Sequence, residues 1–147
     1  MTGSDPRPRG IRNNNPGNLR PGPAWQGIAG LDQDQPDPPY LRFIDPEHGV
    51  RAIARTLIAY QDLHGINTIA GVFQRWAPAG DHNDPASYAQ AVASVLGVGL
   101  SDPIDLHRTA ELAALASAIT RQENGASAEP WYADAVYQRG VALALGE

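Results

Sequence analysis

The stretch Asp45-Pro46-Glu47-His48-Gly49-Val50-Arg51-Ala52-Ile53-Ala54-Arg55-Thr56-Leu57-Ile58 decides the fold class. Val50, Ile53, Ala54, Leu57 and Ile58 recur at spacings of three and four, with Leu63 extending the series, so a helix from Pro46 to His64 carries one apolar face. Asp45 offers an N-cap with proline just inside it, and Gly65 is a natural stop. Such a face needs partners, and the downstream sequence supplies them. Thr68 to Trp76 reads as a shorter helix stopped by Pro78, and Asp84-Pro85 opens a third that runs to Leu96. Asp102-Pro103 precedes a fourth apolar-periodic stretch through Leu106, Leu112, Leu115, Ala116 and Ile119, ending at Asn124-Gly125, and a last helix covers Trp131 to Leu145. Upstream, Tyr40 to Ile44 alternates apolar and polar residues like a small strand. Arg12 to Pro39 is rich in proline, glycine and asparagine and reads as ordered loop with short extended pieces. The expectation is a mostly α domain over residues 11–147 with a loop-rich N-terminal edge and a small β element, preceded by a flexible lead at residues 1–10.

The chain has 147 residues, 42% of them hydrophobic, which is enough for one domain with a real core. It contains no cysteine, so disulfides, thiolate metal sites and thiol nucleophiles are excluded. The net charge is -5 and all eleven cations are arginines scattered without a basic stripe, which argues against nucleic-acid binding. No apolar run reaches the ~20 residues of a membrane span, and Met1 to Arg12 is polar. Synthesis in the cytoplasm without a signal peptide, and no membrane insertion, are therefore expected.

Glu123 falls in the last turn of the fourth helix. The carboxyl end of a helix carries partial negative charge, and apolar walls such as Ile119, Trp131 or Tyr132 would add desolvation; both push a carboxyl pKa upward. A carboxylic acid that keeps its proton near neutrality is what a glycosidase uses to protonate a leaving oxygen. The competing reading is a solvated helix-end residue. The segment Arg12-Asn13-Asn14-Asn15-Pro16-Gly17-Asn18-Leu19-Arg20, followed by Trp25, concentrates amides and an indole suited to sugar hydroxyls and pyranose faces. An Asx-turn loop bonding its own backbone explains the same residues. Trp76-Ala77-Pro78-Ala79-Gly80-Asp81-His82-Asn83 is a second polar and aromatic loop able to line a groove. The four histidines are scattered, and no third ligand stands at useful spacing from Asp81 and His82, so no metal or cofactor is expected. Glu47, in a first helical turn, is explained by the helix dipole alone.

Taken together, RGIRNNNPGNLR (9–20) with Trp25-x-Gly27, FIDPEHGVRA (43–52), RWAPAGDHNDPASYA (75–89) and ITRQENG (119–125) resemble a family of phage and prophage proteins described as virion structural proteins or lytic transglycosylases of lysozyme-like fold. The resemblance runs from Arg9 to Ala144. In that family the Trp-Ala-Pro loop usually carries a glutamate before the asparagine, where this chain has Asp81-His82-Asn83. A more distant likeness is to flagellar and autolysin-type glucosaminidases, whose acid, Asn-rich turn and Asp-Pro segment reappear here in rotated order, as in a circular permutation. The resemblance implies peptidoglycan glycan strands as substrate, cut between N-acetylmuramic acid and N-acetylglucosamine. It implies Glu123 as the general acid, with Asn14, Asn15, Asn18, Arg20, Trp25, Trp76, Asp81, Asn83 and Tyr132 shaping the groove and Tyr88 orienting the site. A lone acid fits a lytic transglycosylase; a muramidase would need a positioned water and Asp81 or Glu47, and a non-catalytic virion or wall-binding protein is the further alternative. Action at the cell wall would require delivery by a virion, a lysis pore or a secretion apparatus.

Overall fold

The structure is a computed structural model and describes residues 6–22, 24–32, 40–76, 85–125, 127 and 129–147. Among these described residues six helices and two strands follow in the order α1 (Arg9–Arg12), β1 (Ile28–Leu31), β2 (Leu41–Phe43), α2 (Pro46–His64), α3 (Ile69–Trp76), α4 (Pro85–Leu96), α5 (Thr109–Asn124) and α6 (Asp134–Leu145). The fold is mostly α with one small antiparallel β ribbon.

Helix α2 has the expected bounds. Asp45 accepts from the His48 backbone N–H at 2.8 Å, and Gly65 closes the helix in the left-handed region at φ 67°. Burial alone would raise the Asp45 pKa, but the His48 backbone bond, the His48 ring and the Arg139 charge outweigh it and leave it lowered. The face predicted apolar is buried from Val50 to Ile58, whereas Leu63 is 76% exposed. Leu63 lies five residues beyond Ile58, off the three-and-four repeat, and so turns away from the core.

Helix α6 packs most extensively against α2, and the approach is close at Gly140. A Cβ there would lie 2.6 Å from the Val50 side chain and 2.8 Å from the Glu47 carbonyl oxygen. Helix α5 packs on α2, α4 and α6, and α3 packs on α4, so Ile53, Leu57, Val72, Leu112, Leu115, Ile119 and Val141 meet in one fully buried core. Residues of this size each contribute about 1.5–3 kcal/mol on burial. A second, small cluster of Leu41, Phe43 and Ala52, flanked by Leu19 and Trp25, seats the ribbon on α2.

Three boundaries differ from expectation. The chain turns helical at Arg9, inside the expected lead, because Gly10 and Ile11 are buried against α5. Leu106 is buried but precedes α5, whose first residue is Thr109. Helix α6 starts at Asp134 rather than near Trp131, since Trp131 is held instead by its indole N–H, which donates to the Gly125 carbonyl at 2.7 Å. Among the described residues no helix is long and apolar enough to cross a membrane.

Candidate active site

The site forms where the asparagine loop meets the end of α5. The loop is built by its own amides. Asn15 is fully buried; its Nδ2 donates to the carbonyls of Leu19 and Leu41, both at 2.9 Å, and its Oδ1 accepts from the Leu19 N–H at 2.9 Å. Asn13 is also buried and donates to Asp32 at 3.0 Å. Asn14 donates to the Phe43 carbonyl at 3.2 Å and adopts φ 52°, a left-handed backbone that asparagine tolerates better than most residues. The expectation that Asn14 and Asn15 touch substrate is corrected for Asn15, which has no exposed surface and no amide atom to spare, and Asn14 is engaged by the β2 backbone. Tertiary demand for backbone partners claims these amides first.

Asn18, also left-handed at φ 50°, does the opposite and faces α5. Its Nδ2 donates to Glu123 Oε1 at 3.2 Å, while Trp76 Nε1, at the end of α3, donates to Glu123 Oε2 at 3.3 Å. Two residues distant in sequence, one from the loop and one from α3, thus hold both oxygens of a half-buried carboxyl. Burial raises the Glu123 pKa above the usual glutamate range; the bonds from Asn18 and Trp76 and the charge of Arg9 oppose it without cancelling it. The direction matches expectation and burial sets it, while the charged and hydrogen-bonding groups that oppose it are Asn18, Trp76 and Arg9. Burial favours the protonated carboxyl, and the two donors favour the anion.

Residues that sequence reasoning missed fasten this arrangement. Asn124 Nδ2 donates to the Thr120 carbonyl within α5 and to the Pro16 carbonyl of the loop, each at 2.9 Å. Gly10 and Gly17 allow the close approach: a Cβ on Gly10 would lie 2.4 Å from Asn124 Oδ1, and one on Gly17 would lie 3.0 Å from both Ile53 and the Trp76 ring. Gly10, directly after Arg9 in the opening motif, was the available signal; the glycine marks where α1 presses on α5.

The other expected residues are placed as follows. Tyr88 donates from its hydroxyl to the Arg121 carbonyl at 3.3 Å and so braces the last turn of α5 from α4. Arg20 donates to the Tyr40 hydroxyl at 2.8 Å and lies over the Tyr40 ring, which Arg9 also contacts at 3.8 Å from the ring centroid. Trp25 packs on the small cluster. Tyr132 sits beside Tyr137, with ring centroids 5.8 Å apart, and burial together with Tyr137 raises its phenol pKa; the structure gives it no bond to Glu123. Asp81 and Asn83 lie outside the described residues. Among the described residues no three His, Asp or Glu side chains converge as metal ligands would.

No family model matches the chain. Protein P5 of Pseudoalteromonas phage PM2 is 36% identical to it over 123 residues, a stretch that spans 81% of this chain and 72% of that protein. The phage affiliation suggested by the motifs thus has a phage relative behind it, and the chain belongs to the family of Protein P5 of Pseudoalteromonas phage PM2.

Proposed function

We propose that the protein cleaves the glycan strands of bacterial peptidoglycan between N-acetylmuramic acid and N-acetylglucosamine, as a lytic transglycosylase with Glu123 as general acid and base. One observation carries the reading: a half-buried glutamate whose pKa is raised by burial has both oxygens met by donors from separate elements, Asn18 and Trp76. In the first step Glu123 gives its proton to the bridging oxygen while positive charge develops on the muramyl sugar. The resulting carboxylate is stabilised by Asn18 and Trp76 and then removes the proton of the muramyl 6-hydroxyl, whose oxygen closes the anhydro ring. Glu123 is thereby reprotonated for the next cycle. The phage relative supports delivery to the wall with, or by, a phage particle.

The test is incubation with purified sacculi. Wild type releases soluble muropeptides ending in anhydro-muramic acid, and Glu123→Gln does not. Reducing ends in place of anhydro ends assign a muramidase, and binding to sacculi without release assigns a non-catalytic wall-binding component.

A further inference from the structure

We propose that Asn124 is a positioning residue for Glu123: its side-chain oxygen is the acceptor that the Asn18 amide meets when that amide turns over, as it does whenever Glu123 takes up a proton. That Glu123 works as an acid in turnover rests on the function proposed above; the turn itself rests on the hydrogen-bonding groups around the carboxyl.

Those groups are of two kinds. The Trp76 indole N–H can only donate, so Glu123 Oε2, which it meets at 3.3 Å, has to remain an acceptor in both states of the carboxyl. The proton therefore sits on Oε1, the oxygen that faces Asn18 at 3.2 Å. An amide offers a donor on one side and an acceptor on the other. With Nδ2 toward Oε1, as in the structure, Asn18 suits the anion. A protonated Oε1 is itself a donor and asks for the opposite face, Oδ1. Among the described residues Arg9 of α1 is the charged group that acts on Glu123, and a guanidinium offers no acceptor. The acceptor comes from Asn18.

The far side of the Asn18 amide is built for that turn. In the structure its Oδ1 is buried and has no donor, and Asn124 Oδ1 is in the same condition. Both oxygens press on Gly10: a Cβ built there would lie 2.4 Å from Asn124 Oδ1, 3.0 Å from Asn18 Oδ1 and 2.8 Å from the Asn15 carbonyl, which already accepts the Asn18 backbone N–H. Buried acceptors without a donor are uncommon and costly, and here two share one niche. Half a revolution of Asn18 about Cβ–Cγ, a broad two-fold torsion, replaces Oδ1 in that niche by Nδ2. The turned amide accepts from Glu123 Oε1 and donates toward Asn124 Oδ1, so both oxygens gain a donor. It gives up the 3.5 Å bond from Nδ2 to the Glu123 backbone carbonyl. Asn124 cannot turn in its place without losing the bonds from its own Nδ2 to the Pro16 and Thr120 carbonyls. The bond to the anion is charge-assisted and the stronger of the two, so Asn18 still favours ionisation on balance.

The experiment is an NMR pH titration of the protein alone, with asparagine side chains labelled with nitrogen-15 and the Asn18 signals identified by their loss in Asn18→Gly. Below the Glu123 midpoint the nuclear Overhauser contact between the Asn18 amide protons and the Gly10 α-protons should be several-fold stronger than above it, and should change with the same midpoint as the carboxyl. In Glu123→Gln it should not vary with pH. Asn124→Leu, with thermal unfolding recorded beside it, should hold the contact at its weak, high-pH strength throughout. If that variant does not fold, the comparison of wild type with Glu123→Gln decides alone. A contact that ignores the carboxyl in wild type, as it would if a water satisfied both oxygens, overturns the proposal. So does one that titrates equally in Glu123→Gln, or that still strengthens at low pH in folded Asn124→Leu. No substrate enters the measurement: a turning amide without cleavage of sacculi overturns the proposed reaction alone, and cleavage with an unmoving amide overturns the positioning role alone.

Discussion

Asn13 to Asn15, in the first half of the loop, and Asn18 in its second half with Asn124 of α5 facing the loop spend the same side chain in different ways. In the first half the amides replace missing backbone partners, and the loop holds its shape because Asn15 is saturated by Leu19 and Leu41. In the second, Asn124 ties α5 to the loop through the Pro16 carbonyl, and Asn18 delivers its donor to the carboxyl that α5 presents. The difference teaches that an asparagine-rich motif is a scaffold carrying one contact to an ionisable group, and each half can be broken separately.

The largest expected effect is on turnover. On the proposed reaction Glu123→Gln removes the proton donor and should lower muropeptide release by about 10²–10⁴-fold, measured by chromatography of sacculus digests. Asn15→Ala breaks the scaffold half instead: it removes the Asn15 bonds to the Leu41 carbonyl and to the Leu19 N–H and carbonyl, of which the Leu19 carbonyl keeps the Leu41 N–H, and should cost about 2–4 kcal/mol, read from urea unfolding. On the proposed reaction Asn18→Gly, which suits the left-handed backbone at φ 50°, inverts that pattern, costing less than about 1 kcal/mol in urea while reducing release by about 10-fold or more. If the two asparagine variants behaved alike, the division between scaffold and site would fail. A smaller effect is expected from pH. Because the Glu123 pKa is raised in the folded protein, its contribution is fully present below the ordinary glutamate range and is lost as pH rises through the raised value. Relative to Glu123→Gln, wild type should therefore lose thermal stability across that interval and run parallel above it, as calorimetry at several pH values would show. Smallest of all is Asn14→Gly, which suits the left-handed backbone at φ 52° and forfeits one bond to the Phe43 carbonyl; the change should stay within about 1 kcal/mol.

The helices could be read from the sequence where local signals and packing agree. Asp45-Pro46 and Gly65 bound α2 because the cap residues satisfy the helix ends themselves, and Asn124-Gly125 ends α5 because Gly125 takes φ 87°. Helix α1 was not legible, since four residues carry no periodicity and Arg9–Arg12 is helical through the burial of Gly10 and Ile11. Strand β1 was foreseen only as an extended piece. Its side chains are mostly exposed and its pairing with β2 is irregular between Ile28 and Gly30, so no alternation marks it. In the site, the helix-end placement of Glu123 pointed to a raised pKa. The partners did not show, because Asn18 and Trp76 reach it across 105 and 47 residues of sequence. No local rule distinguishes Asn15, turned inward, from Asn18, turned toward α5; that choice is made by which backbone carbonyls tertiary packing leaves open.

A carbon-13 NMR titration of the Glu123 side-chain carboxyl tests the account most directly. The expected midpoint lies above that of ordinary glutamates and rises further in Asn18→Gly and Trp76→Phe, which remove the donors that favour the anion. A midpoint at or below the ordinary value, or one indifferent to both substitutions, would contradict it.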